Sequence, residues 1–157
     1  MTVRLGRDEA WAELAAAHTG ILTTRRADGA PIALPVWFAV LDERIYVGTP
    51  AHTKKVTRIR RDPVVSFLVE SGQRWDELRG VHLTGRARIV DDPGLRDRAQ
   101  AALREKYESY RTERAAMPEA TRRYYVTDTA VIEIVPDERF LSWDNARLPL
   151  RPRQQRV

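Results

Sequence analysis

Apolar positions along the chain change period several times, and each change marks an element. Between Asp8 and His18, Trp11, Leu14, Ala15 and His18 recur at three- and four-residue intervals. That spacing predicts an amphipathic helix with Asp8 as N-cap, ending near Gly20, with His18 as its C-terminal cap. From there the period drops to two. Ile21 to Arg25, Pro31 to Leu41 and Arg44 to Thr49 read as meandering antiparallel strands, joined by turns at Ala27-Asp28-Gly29 and Asp42-Glu43. Val64 to Glu70 is a nearly continuous apolar run, as in a centrally buried strand, and Val81 to Val90 is a further strand whose interior Gly85 predicts a bulge or barrel corner.

Helical spacing returns after Asp91-Asp92-Pro93, from Gly94 to about Arg111, with Leu95, Ala99, Ala102, Leu103, Tyr107 and Tyr110 as its packing face. Pro118 opens a short helical segment. Ala130 to Val135 and Arg139 to Trp143 read as the last strands, separated by a turn at Pro136-Asp137. Six or seven short strands with helices between and outside them predict a mostly β fold, a small antiparallel barrel with peripheral helices. Residues 1–147 form its single domain and 148–157 a loose basic tail.

Two places break the pattern. Pro35 has no N–H for a ladder, so that stretch is an edge, a bulge or a shelf for something other than a strand, and Trp37 and Phe38 follow it directly. The second place is Thr49 to Pro63, a strand end, a Thr-rich turn and a short helix crowded with cations. Thr53 is the expected N-cap, yet Lys54 and Lys55 occupy the first turn, where the helix dipole disfavours cations by roughly 0.3–1 kcal/mol each. On a helical wheel Lys54, Arg58 and Arg61 share one face while Val56 and Ile59 take the other. Backbone N–H groups, threonine hydroxyls and cations at one helix start suit a phosphate; a merely solvated basic face is the alternative.

Charge distribution sharpens this. The net charge of +5 divides into +5 for residues 44–63, +4 for 147–157 and −4 for the remainder, so the cations form one loop-helix and one tail. General nucleic-acid binding favours a broad basic face with stacking aromatics, and residues 50–63 hold no aromatic ring but His52. The chain lacks cysteine, which excludes disulfides and thiolate chemistry. His18, His52 and His82 do not share metal-ligand spacing, so no metal is expected. No apolar run approaches ~20 residues and no signal-peptide pattern opens the chain, so a cytoplasmic protein without a membrane partner is expected.

The series G-I-L-T-T-R, D-G-A-P, P-V-W-F, R-I-Y-V-G-T, T-K-K-V, R-I-R-R-D-P-V-V-S, then E-L-R-G-V-H-L-T-G-R-A-R-I-V-D-D and V-I-E-I-V-P, resembles the pyridoxamine 5′-phosphate oxidase-like split β-barrel superfamily. Within it the chain is most similar to the flavin/deazaflavin-dependent oxidoreductases of the B type. The resemblance spans roughly Ala10 to Trp143. It implies a homodimer with cofactor at the subunit interface and hydride transfer from reduced coenzyme F-420 to a small conjugated acceptor. An FMN-dependent oxidoreductase on the same fold is the first alternative, and a non-catalytic ligand- or nucleic-acid-binding module the second. Carried over by position, the resemblance implicates Thr49, Thr53, Lys54, Lys55 and Arg58 in holding the cofactor phosphate and Leu34, Pro35, Val36, Trp37 and Phe38 in carrying its ring, with Trp75 or Trp143 closing the site from the partner. It assigns no catalytic residue. The echo of the oxidases' C-terminal substrate signature is confined to Trp143, Arg147 and Leu148, so oxidation of pyridoxamine phosphate is not implied.

Overall fold

In the computed structural model, which describes residues 2–125 and 128–149, the period-two segments build one seven-stranded antiparallel sheet. Its strands are β1 (Gly20–Arg25), β2 (Pro31–Val36), β3 (Phe38–Leu41), β4 (Arg44–Pro50), β5 (Val64–Ser71), β6 (Arg79–Ile89) and β7 (Thr129–Asp144). The helices are α1 (Arg7–Ala16), α2 (Lys54–Arg61), α3 (Pro93–Tyr107) and α4 (Glu119–Tyr124).

Strand order is β2-β1-β5-β6-β7-β4-β3, so the two edge strands are consecutive in the chain, with Trp37 alone between them. Two residues of extended chain span at most about 7 Å. The sheet therefore curls until its edges meet at Trp37, which makes it a split β-barrel. The single strand expected over Pro31 to Leu41 is thus two strands, because Val36 pairs with Gly20 on one edge and Phe38 with Val47 on the other.

The opposite correction applies near the C-terminus. Pro136-Asp137 is not a turn between strands: β7 runs through it, and the register with β6 slips between Leu83 and Gly85. Residues 137–139 bulge out opposite Thr84, whose hydroxyl donates to Asp137 Oδ2. The bulge begins directly after Pro136, which pairs opposite Gly85, and this close approach requires glycine at 85, where a Cβ would lie 2.4 Å from the Val135 carbonyl.

Turn chemistry explains the other boundaries. Gly29 has φ +85° and lets Asp28 accept from the Ala30 N–H, while Asp42 and Glu43 both take positive φ in the tight β3–β4 hairpin. Helix α1 begins one residue before Asp8, with Gly6 as N-cap and Glu9 accepting from its N–H. It ends at Ala16, so His18 caps nothing. Asp92 caps α3 through the Leu95 N–H, and α3 stops at Tyr107, short of the expected Arg111.

Inside the barrel Phe38, Phe67, Leu83, Val47 and Ile132 are fully buried, with Leu14 of α1 and Ile59 of α2 packed against them. Helix α3 lies outside, its Ala99 against Tyr46 and Val131 and its Leu103 and Tyr107 against Ala39. On that outer face Glu133 is completely buried and accepts from Tyr46 Oη (2.8 Å), Arg44 (2.9 Å) and Arg88. Burial pushes its carboxyl up, but the three donors outweigh this and hold it below the usual carboxylate range. Burial, with the bond to Glu133, pushes the Tyr46 phenol up to about 12.

Glu133→Gln leaves two guanidinium groups facing an uncharged amide and is expected to cost about 2 kcal/mol, discounted because both arginines are half exposed. Urea denaturation at pH 7 reads this directly, and a loss below about 0.5 kcal/mol would show the network to be dispensable.

Candidate functional site

The basic helix follows β4 through a turn that the sheet itself fixes. The Ala51 N–H donates to the Asp128 carbonyl at 2.8 Å, tying residues 50–53 to the entry of β7. Thr53 occupies the N-cap position of α2, but its hydroxyl makes no cap bond. Instead it meets the Thr49 hydroxyl at 3.3 Å, and Thr49 is buried at the barrel end. The two hydroxyls thus meet at the residue that opens α2.

The cations of α2 separate into two groups. At its C-terminal end Arg61 donates to the Arg25 carbonyl at 2.5 Å, and Arg25 pairs with Asp62 at 2.8 Å, binding the helix to β1. Val56 and Ile59 are buried beneath, as the wheel requires. At the N-terminal end Lys54 is exposed and Lys55 half-buried, and among the described residues no carboxylate pairs with Lys54, Lys55 or Arg58. Burial, and then the neighbouring charge of Arg58, push the Lys55 ammonium below the usual lysine range. A half-buried cation beside a second cation, with neither compensated, is the electrostatic signature of a place for an anion. The donor set of ammonium, guanidinium, hydroxyls and N–H groups fits a phosphate.

The five residues of the shelf divide by face. Val36 and Phe38 point into the core, whereas Pro35 and Trp37 face outward and Leu34 lies exposed at the free edge of β2. Phe38 also has both backbone groups occupied. The Tyr107 hydroxyl accepts from its N–H at 2.9 Å and lies 3.0 Å from its carbonyl and 2.8 Å from that of His18. The Tyr107 ring stacks on Trp37 with centroids 4.4 Å apart, and His18 packs edge-on against both rings. A cleft of about 420 Å³ opens beside His18, lined also by Glu13, Thr19, Glu70 and Ser71.

Two features here escape sequence reasoning. Tyr107 reads as a packing residue by spacing, yet its hydroxyl pins the barrel seam. Lys106 donates to the Ala17 carbonyl at 2.8 Å, with its ammonium 4.0 Å from the Phe38 ring centroid. Only three of the 27 basic residues are lysines, two in the α2 first turn and this one. Of the closing tryptophans, Trp75 is 62% exposed, while Trp143 lies across Gly80. The basic tail from residue 150 lies outside the described residues. No helix among the described residues is long and apolar enough to cross a membrane.

The sequence profile of the family described as pyridoxamine 5′-phosphate oxidase matches residues 7–141. No protein of curated function matches the chain. Among solved structures, the conserved hypothetical protein Rv2991 of Mycobacterium tuberculosis is 32% identical over 97% of this chain and 92% of its own, with a TM-score of 0.80. An F-420 reductase is 24% identical, covering 83% of this chain and 94% of its own at a TM-score of 0.60. An FAD-binding protein from Mesorhizobium loti is 22% identical, covering 88% and 93% at 0.66. The last two show a shared fold.

Two substitutions test the seam. Tyr107→Phe leaves the Phe38 N–H without its buried acceptor and is expected to cost about 1–3 kcal/mol in urea. Lys106 is pushed down to about 8 by burial, so the folded chain sheds its proton before the unfolded one and stability rises with pH above about 8. The Phe38 ring face opposes this by favouring the cation. Lys106→Met should abolish the rise between pH 7.5 and 9.5; an unchanged rise would place its origin elsewhere.

Proposed function

Because the chain belongs to the pyridoxamine 5′-phosphate oxidase family and folds as its split barrel, we propose that it is an oxidoreductase that uses reduced coenzyme F-420 to pass hydride to a small conjugated organic acceptor. The observation that carries this reading is Lys55, half-buried, without a carboxylate partner among the described residues, in the first turn of the helix opened by Thr53, whose hydroxyl meets that of Thr49. Lys55, Lys54, Arg58, Thr49 and Thr53 hold the phosphate, and Leu34, Pro35 and Trp37 carry the ring. Val36 and Phe38 support that surface from the core side. F-420 bears a phosphodiester and an oligoglutamate tail, which suits several cations better than one phosphate does.

The cofactor supplies the hydride when bound. The protein's part is to orient the ring, exclude water and neutralise the anionic tail. Arg147, the echo of the oxidases' signature, is engaged by Asp144, Glu9 and the Arg4 carbonyl, which supports leaving pyridoxamine phosphate aside. FMN is the second reading, favoured by the commitment of Arg61 to the Arg25 carbonyl, since fewer cations then remain for a long tail.

A second copy of the chain completes this reading. Pro35, Ile21, Leu68, His82 and Leu141 form one row across β2, β1, β5, β6 and β7 on the outer face, which α3 does not cover. Leu141 is 65% exposed there. An apolar row of this kind marks an interface, and a ring on Pro35 lies at its edge. A cytoplasmic location is part of the same proposal.

Lys55→Ala should weaken binding of F-420, or of FMN on the second reading, by about 1–3 kcal/mol in a fluorescence titration, with the fold intact. Wild-type affinity for both cofactors in that variant would remove the phosphate assignment. For the interface, Leu141→Lys should convert a dimer to a monomer in sedimentation; a wild type that sediments as a monomer defeats the dimer.

A further inference from the structure

Strand register sets the order of three features along one end of the barrel. Phe38 pairs with Val47 and Val36 with Gly20, so Trp37 lies between the run toward Thr49 on one side and Thr19 on the other. Past Thr19, the pairing of Ile21 with Leu68 brings Glu70 alongside, and there the cleft of about 420 Å³ opens. That volume falls within the roughly 300–1,000 Å³ of small-ligand sites. Cradle, ring shelf and cleft are thus neighbours in that order.

His18 joins the shelf to the cleft. It lines the cleft, and its ring meets Trp37 at 6.0 Å, Tyr107 at 5.4 Å and Tyr110 at 4.4 Å between centroids. The backbone beneath it is held as well, with the Tyr107 hydroxyl 2.8 Å from its carbonyl and Lys106 donating to the adjoining Ala17 carbonyl at 2.8 Å. The side chain nevertheless stays exposed, and among the described residues no hydrogen bond or ion pair occupies its ring nitrogens. Glu13, which also lines the cleft, is by contrast engaged by Arg79 at 2.7 Å and by the Ser71 hydroxyl at 3.4 Å. An imidazole offers at least one N–H in either protonation state. One already oriented by three rings needs little further ordering to hold a developing negative charge.

Resting on the reading of the chain as a hydride-transferring oxidoreductase, we propose that this cleft is the acceptor site and that the His18 imidazole N–H donates to the carbonyl oxygen of a planar α,β-unsaturated ketone or ester bound there. Hydride from the reduced cofactor adds to the β-carbon, and the C=C electron pair shifts to leave an enolate oxygen held by the His18 N–H. Water at the open cleft then protonates the α-carbon. The acceptor gains the two electrons that the cofactor loses, and His18 ends the cycle unchanged.

Benzylideneacetone, a planar enone, is the probe, and β-methylstyrene, which lacks the carbonyl, its control. In the full chain with labelled histidines, benzylideneacetone should shift the imidazole nitrogen resonances of His18 and leave those of His52 and His82, and β-methylstyrene should shift none. Turnover of benzylideneacetone with reduced F-420 or reduced FMN should fall about 100-fold in kcat in His18→Ala, and His18→Gln, which keeps an N–H donor, should recover at least tenfold of that loss. Unmoved His18 resonances, equal shifts with β-methylstyrene, or equal kcat in His18→Ala and His18→Gln would each overturn the assignment. The two proposals fail separately. Lys55-dependent cofactor binding with no response of His18 to the enone sinks the acceptor site alone. Enone binding that requires His18, with no oxidation of either reduced cofactor, counts against the oxidoreductase reading and leaves the carbonyl site standing.

Discussion

Closure of the barrel between Val36 and Phe38 is the constraint on which the rest depends. A sheet whose edge strands are separated by one residue must bring both edges together there, and Pro35 has no N–H to ladder with. The gap is held from outside. One Tyr107 hydroxyl accepts from the Phe38 N–H and turns its single hydrogen toward the His18 and Phe38 carbonyls, and its ring stacks on Trp37. Helix α3 is therefore a buttress for the seam as much as a cover for β3 and β4.

Seam and cradle are consequences of the same strand path. With β3 at the far edge and β4 paired between it and β7, the end of β4 delivers Thr49 and leads into the turn that starts α2. Arg61 and the Arg25–Asp62 pair secure the other end of α2 to β1. That anchoring leaves the unfavourable first-turn lysines in place without relieving them. A helix fixed at its C-terminal end, with no carboxylate partner for its first-turn lysines among the described residues, keeps like charge together where the proposed anion would relieve it.

Polar groups are treated differently at the two ends of the sheet. Around Glu133 a buried carboxylate is matched by two arginines and a tyrosine, so nothing there asks for a ligand. Around Lys55 no carboxylate among the described residues pairs with Lys54, Lys55 or Arg58. Of two buried or half-buried charged clusters in one small barrel, the matched one reads as structure, and the one without carboxylate partners among the described residues is where we propose that the anion binds.

The sequence by itself determined the periodic elements, the Asp28-Gly29 turn, the bulge glycine at 85 and the anomaly of lysines at a helix start, since each follows from local geometry and residue chemistry. It determined the apolar side of α2 as well, because Val56 and Ile59 obey a 3.6-residue period. Only the tertiary structure decided that Pro31 to Leu41 is two strands on opposite edges and that Pro136 lies inside one, as both depend on pairing with distant partners. It likewise withdrew Phe38 from the surface, committed Arg61 to β1 and set Tyr124 against His52 across some seventy residues of chain. Periodicity records which side of an element is buried, but it carries no information about which remote group arrives to bury it.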